Sequence, residues 1–109
     1  MAFKDKILAL ASVPLQPIEY TDKTTGEKAY IKRMTVAERE AYAAAVMGAP
    51  KGKSNATGFA HILVDQHGNR IFTDADIDAI GKLPEDIVID ALNEFNKTGR
   101  TTVEQAEKN

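Results

Sequence analysis

The chain has 109 residues, 43% apolar and 28% charged, with a formal net charge of −2 and no cysteine. That is room for one domain with one modest core. It excludes a disulfide scaffold, thiolate metal sites and cysteine catalysis, and it carries no electrostatic footprint for nucleic acid.

The opening MAFKDKILALASVP has a short apolar patch between charges. It lacks the long apolar core of a signal peptide and is far short of a membrane span, so the plain expectation is a soluble cytoplasmic chain. Phe3, Ile7, Leu8, Leu10 and Ala11 recur at helical spacing, which predicts a short helix ended by Pro14. LQPIEYTD and KAYIKRM flank DKTTGE and predict a β-hairpin with an exposed edge. Thr35 followed by Glu38 forms the pattern of a capping box, opening a helix that Gly48 ends. Val36, Ala37, Ala41, Ala44 and Ala45 give that helix a stripe of small residues, against which another element can approach closely.

GAPKGKSN, residues 48–55, reads as a flexible basic loop between two halves of the fold. GFAHILVD and RIF around QHGN predict a second hairpin, with His61 half-buried on a strand and His67 in the turn. Thr73 caps a short acidic helix closed by Gly81. Pro84 then opens the strongest helix, with Ile87, Val88, Ala91, Leu92 and Phe95 on one face and Gly99 as its expected stop. Residues 100–109 form a polar C-terminal tail. The whole predicts a single α+β domain over residues 1–99: two short antiparallel β-hairpins packed with three to four helices.

Two stretches imitate ligand motifs. GAPKGKS resembles a phosphate-binding loop, but has three residues instead of four between its first Gly and Gly-Lys, follows a helix, and precedes an apparent strand. Asp74, Asp76, Asp78 and Glu85 match the oxygen spacing of a calcium loop, but Ala79 stands where the sharp turn needs Gly. The two histidines lack a third ligand or an orienting carboxylate at useful spacing, and no Gly-x-Ser-x-Gly elbow occurs. Asn55-Ala56-Thr57 is a glycosylation sequon by letters only. No catalytic, cofactor or metal residues are expected.

The ordered set FKDKILAL, AYIKRM leading into TVAERE-AY, HILVDQHGNRIFTDADIDAIGKLP and a final helix ending LNEFNKTG resembles the tail assembly chaperones of long-tailed phages and prophages. Thr35–Arg39 and Val64–Asp76 carry the resemblance most specifically, and it spans Phe3 to about Gly99. It implies a non-enzymatic protein that binds the tape measure protein, a long and largely helical polypeptide, and keeps it soluble while tail tube subunits assemble around it. It also implies a longer frameshifted form that recruits the tail tube protein, action in the host cytoplasm and absence from the mature virion. The alternatives are a small nucleotide- or metal-dependent enzyme, resting on the two near-motifs, and a generic adaptor. A chaperone of this kind needs reversible apolar surface. The candidates are Tyr42, Met47 and Ile89, which fall off or at the margin of the core stripes. Self-association is expected, because several copies of a modest surface can act together on one long partner.

Overall fold

In the computed structural model, which describes residues 2–108 and side chains as far as Thr98, the chain forms an α+β domain around a three-stranded antiparallel sheet. Strand β1 (Ile18–Thr21) pairs with β2 (Lys28–Ile31) in the register Ile18↔Ile31 and Tyr20↔Ala29. Asp22 makes the turn between them. Its carboxylate accepts from the Thr25 amide at 2.8 Å and the Thr25 hydroxyl at 2.7 Å, and these bonds hold its pKa below the usual value.

The other edge of β2 receives β3 (Leu63–Val64), through Tyr30↔Val64 and Ile31↔Leu63. A single bridge, Val64↔Arg70, is what remains of the second hairpin. Its turn is tied by Asp65, whose carboxylate accepts from the amides of His67 and Asn69.

Helix α1 (Ala2–Ala9) runs into a 3-10 turn at Leu10–Ser12. Helix α2 (Val36–Met47) begins at the expected capping box. Thr35 Oγ1 accepts from the Glu38 amide at 3.2 Å, and Glu38 Oε1 accepts from the Thr35 amide at 3.1 Å. Those bonds, with Lys32 3.0 Å from Glu38, hold the Glu38 carboxyl below its ordinary pKa. Thr73 and Asp76 repeat the box at a 3-10 turn, Asp74–Asp76, that leads into α4 (Ile77–Ile80).

Residues 54–62 overturn the strand reading. They form helix α3 (Ser54–Ile62), in which Ala56, Thr57, Gly58, Phe59, Ala60 and Ile62 are all buried. A helix buried on nearly every side shows no 3.6-residue alternation, and its aromatic and β-branched letters then imitate a strand. The connector from α2 is correspondingly shorter, Gly48–Lys53. His61 is half-buried as expected, but on a helix, with Nδ1 2.8 Å from the Thr57 carbonyl one turn back.

Helix α3 is the centre of the domain, packed against α2, α4 and α5 (Glu85–Lys108). The core joins Ile31, Phe59, Ala60, Ile62, Leu63 and Ile80 to Val88, Ala91 and Phe95 of α5, with Ile87 and Leu92 packed at its margin. The apolar face expected for α5 is the face it buries. The helix does not stop at Gly99, however. A helical glycine costs about 1 kcal/mol relative to alanine, and the following Glu104, Gln105, Ala106, Glu107 and Lys108 are good helix formers. The expected tail therefore continues α5 along its backbone to Lys108. Asn109 lies outside the described residues.

Candidate functional site

The two imitated motifs resolve into one ordinary contact. Because α3 begins at Ser54, the Gly-Lys-Ser of residues 52–54 does lead into a helix, contrary to the sequence reading. The element before it is still helix α2, and the short spacing stands. Lys53 Nζ donates to Asp78 Oδ1 at 2.7 Å, so the lysine of one near-motif pairs with an aspartate of the other. This ammonium holds the Asp78 carboxyl below its ordinary pKa. Asp74 instead accepts from Arg70 at 3.2 Å, and Asp76 from the Thr73 amide at 2.8 Å. The three carboxylates thus serve three separate partners. Among the described residues, no cluster of three or more His, Asp or Glu side chains is placed to hold a metal ion.

The three candidate binding residues occupy different settings. Tyr42 is half-buried where α2 meets the core: its ring centroid lies 5.0 Å from that of Phe95 and 6.4 Å from that of His61. The Arg39 guanidinium sits 4.4 Å above the Phe95 ring and donates to Asn96 Oδ1 at 3.1 Å. Burial raises the Tyr42 pKa, with Arg39 acting in the opposite direction. Close approach here depends on Gly58, since a Cβ at that position would stand 2.8 Å from the Tyr42 hydroxyl. Met47, at the far end of α2, is 85% exposed. Ile89 is half-buried in a cleft of about 180 Å³ beside Ile80, Leu83 and Val88. At 100° per residue, Tyr42 and Met47 fall on different sides of α2, and Ile89 belongs to α5.

The small-residue stripe of α2 is also placed differently from the expectation. Tyr42, Ala45, Val46 and Ala49 turn inward, whereas Val36, Ala37, Ala41, Ala43, Ala44 and Met47 face outward. The tyrosine anchors the helix, and the alanines are left over. The outward face holds one charge, Glu40, and its two large side chains, Val36 and Met47, are 79% and 85% exposed.

A second apolar surface lies at the N-terminus. Phe3, Ile7 and Leu10 recur at i, i+4 and i+7, Leu8 stands beside them, and no residue of α1 is buried. The principal neighbour of α1 is its own 3-10 turn. The helix was legible in the sequence; its exposure was not, because periodicity shows an apolar face without showing what covers it.

A third feature was missed altogether. Between the hairpin, α3 and α5 lies a cleft of about 230 Å³, walled by Tyr20, Ala29, Phe59, Leu63, Phe72 and Ile87, with Ile71 also lining it and Asp22, Glu27 and Lys28 at its polar edge. No sequence pattern could signal it, since its walls come from four separate stretches of chain.

No helix among the described residues is long and apolar enough to cross a membrane. A family model described as "Phage tail assembly chaperone, TAC" matches residues 6–98. No match is found among curated proteins or among solved structures. The chain belongs to the phage tail assembly chaperone family.

Proposed function

We propose that this tail assembly chaperone binds the tape measure protein along the outward face of α2 and keeps that long helical chain soluble while tail tube subunits assemble around it. The observation that supports this is the composition of that face: Val36, Ala37, Ala41, Ala43, Ala44 and Met47 around a single charge, all exposed. Alanines let a partner helix approach closely. Burying Val36 and Met47 is worth about 1.5–3 kcal/mol each. Association itself costs about 4–15 kcal/mol, so one copy binds feebly and can be displaced. Several copies along one partner recover affinity by avidity.

On this reading no step is catalytic. Met47 makes direct contact, Tyr42 fixes α2 from its inner side, and Ile89 is an auxiliary contact on α5. The chaperone acts in the host cytoplasm, leaves before the particle is finished, and meets the tail tube protein through an extension of its C-terminus in a frameshifted form.

The test is co-expression with the tape measure protein followed by pull-down, comparing the wild-type chain with Met47→Asp and Val36→Asp. Both positions are exposed, so folding by circular dichroism should be unchanged. Wild type should retain the tape measure protein, and each variant should retain at least about tenfold less, the result of losing about 1.4 kcal/mol. Equal retention by all three would overturn the assignment of this face.

A further inference from the structure

We infer that the open edge of the sheet takes an extended, basic segment of a different polypeptide as a fourth strand, laid along β1 over an acidic groove against α5.

The ladder sets the edge. Strand β1 is an outer strand of the sheet, and among the described residues no strand pairs with its far side. The Asp22 amide donates to the Glu27 carbonyl at 2.9 Å, and residues along an antiparallel ladder alternate between bonded and unbonded pairs. In the register of β1 with β2, Ile18 and Tyr20 are therefore the bonded residues, and Glu19 and Thr21 turn their N–H and C=O groups to the open side. The same alternation aims the Lys32 amide away from β1, and it donates to the Ile62 carbonyl at 2.9 Å. A row of free backbone donors and acceptors is a template for an added strand.

Side chains decide which strand fits. A strand added about 4.8 Å from β1 continues its pleat. Its residue beside Tyr20 points, like Tyr20, toward the helical layer, and those beside Glu19 and Thr21 point to the outer face. On the inner side a groove of about 300 Å³ runs between β1 and α5, lined by Tyr20, Asp90, Asn93, Glu94 and Lys97. Lys97 offsets Glu94 at 3.3 Å, yet the field at the Tyr20 hydroxyl is that of carboxylates. Its pKa is raised first by burial and then by Asp22, Asp90 and Glu94. A Lys or Arg beside Tyr20 enters that field with favourable sign. A Glu or Asp there is repelled.

The same charges speak against a second copy as the occupant. Pairing β1 with β1 sets one acidic groove beside another, with Asp90 and Glu94 of both copies on the same face. The edge is also separate from the outward face of α2, so this contact stands or falls without reference to what α2 binds.

The experiment is amide NMR on the full chain, with a capped synthetic peptide of about six residues that alternates Lys and Thr as the probe. At about 1 mM peptide, the Glu19 and Thr21 amides should shift and exchange at least severalfold more slowly, while the already bonded Tyr20 amide changes little. Raising salt to about 0.5 M should weaken binding several-fold. Asp90→Asn and Glu94→Gln remove charge without bulk, and together they should also weaken it several-fold. A peptide with Glu for every Lys should not bind. Neither should one with Pro for every Thr, because it lacks the N–H groups that pair with Glu19 and Thr21 in the antiparallel arrangement. Four results would overturn the inference: no binding of the Lys–Thr peptide; binding that leaves the Glu19 and Thr21 amides unprotected; equal binding of the Glu or Pro peptide, or by the double variant; and protection of the two amides that grows with protein concentration in the absence of peptide, which indicates pairing between copies.

Discussion

Helices α1 and α3 are of nearly equal length, eight and nine residues, yet six residues of α3 are buried and none of α1. The helix with more large apolar side chains is the exposed one. AFKDKILA displays its apolar residues at helical spacing between charges, whereas SNATGFAHI is small, polar and aromatic in no evident period. The difference lies in neighbours. Helix α3 has α2, α4 and α5 around it, and its small residues Ala56, Gly58 and Ala60 let those helices close in. Helix α1 has large side chains and buries none of them. A helix carrying Phe3, Ile7 and Leu8 is therefore left exposed, while one that sets Gly58 between Ala56 and Ala60 is the hub of the fold.

The largest expected effect comes from the side chain that closes the hub. Phe95 is 2% exposed and packs against Tyr42 beneath the Arg39 guanidinium. Phe95→Ala should cost about 3–5 kcal/mol by lost transfer energy and a residual cavity. That is a large share of the roughly 5–15 kcal/mol that holds a domain together. Phe3→Ala, at a 71% exposed position, should change stability by no more than about 0.5 kcal/mol. Urea unfolding of the two variants measures the contrast. Similar losses would mean that α1 is packed within the single chain, and the comparison would collapse.

A subtler effect tests why α3 is made of small residues. In an open helix Gly→Ala gains about 1 kcal/mol. At Gly58 the new Cβ would stand 2.8 Å from the Tyr42 hydroxyl and 3.2 Å from Leu92 Cδ2. Overpacking of this kind costs about 1–3 kcal/mol, so the net effect of Gly58→Ala should run from about neutral to a loss of about 2 kcal/mol. Tyr42→Phe removes the oxygen of the closest contact, and the double variant should recover part of that loss. The non-additive term, read from unfolding curves of the four chains, isolates the contact. A stabilised single variant would show that α2 and α3 have room between them.

How much of this was legible in the sequence follows from the same contrast. Local signals were legible where one residue fixes a backbone bond: the Thr35–Glu38 and Thr73–Asp76 boxes both form, and the Asp22 turn joins the expected hairpin. The buried face of α5 was legible because it is one-sided. Residues 54–62 were not, because burial on nearly every side erases the period and propensity then favours a strand. Of the candidate surface, Met47 was legible as a margin residue. The outward turn of the α2 alanines was not, because it depends on Tyr42 finding Phe95 across 53 residues of sequence. The cleft beside Phe72 arises only once hairpin, α3 and α5 meet.

The smallest expected effect lies in the connector between α2 and α3. Lys53 and Asp78 tie the loop before α3 to α4, but both side chains are substantially exposed, and exposed pairs contribute little. Lys53→Ala should leave the melting temperature nearly unchanged. Its signature is in titration. The Asp78 carboxyl is held below the usual 3.8, first by the hydrogen bond from Lys53 and then by its charge. A depressed carboxylate stabilises the fold above its ordinary pKa, and that contribution fades as pH falls through the folded value. Removing Lys53 should bring the Asp78 carboxyl back toward 3.8, measured by carboxyl NMR, and flatten the small acid-side slope of stability in the same range. A loss of stability larger than that of Gly58→Ala would make the Gly48–Lys53 connector a clamp on the buried helix rather than a loose link from α2 to α3.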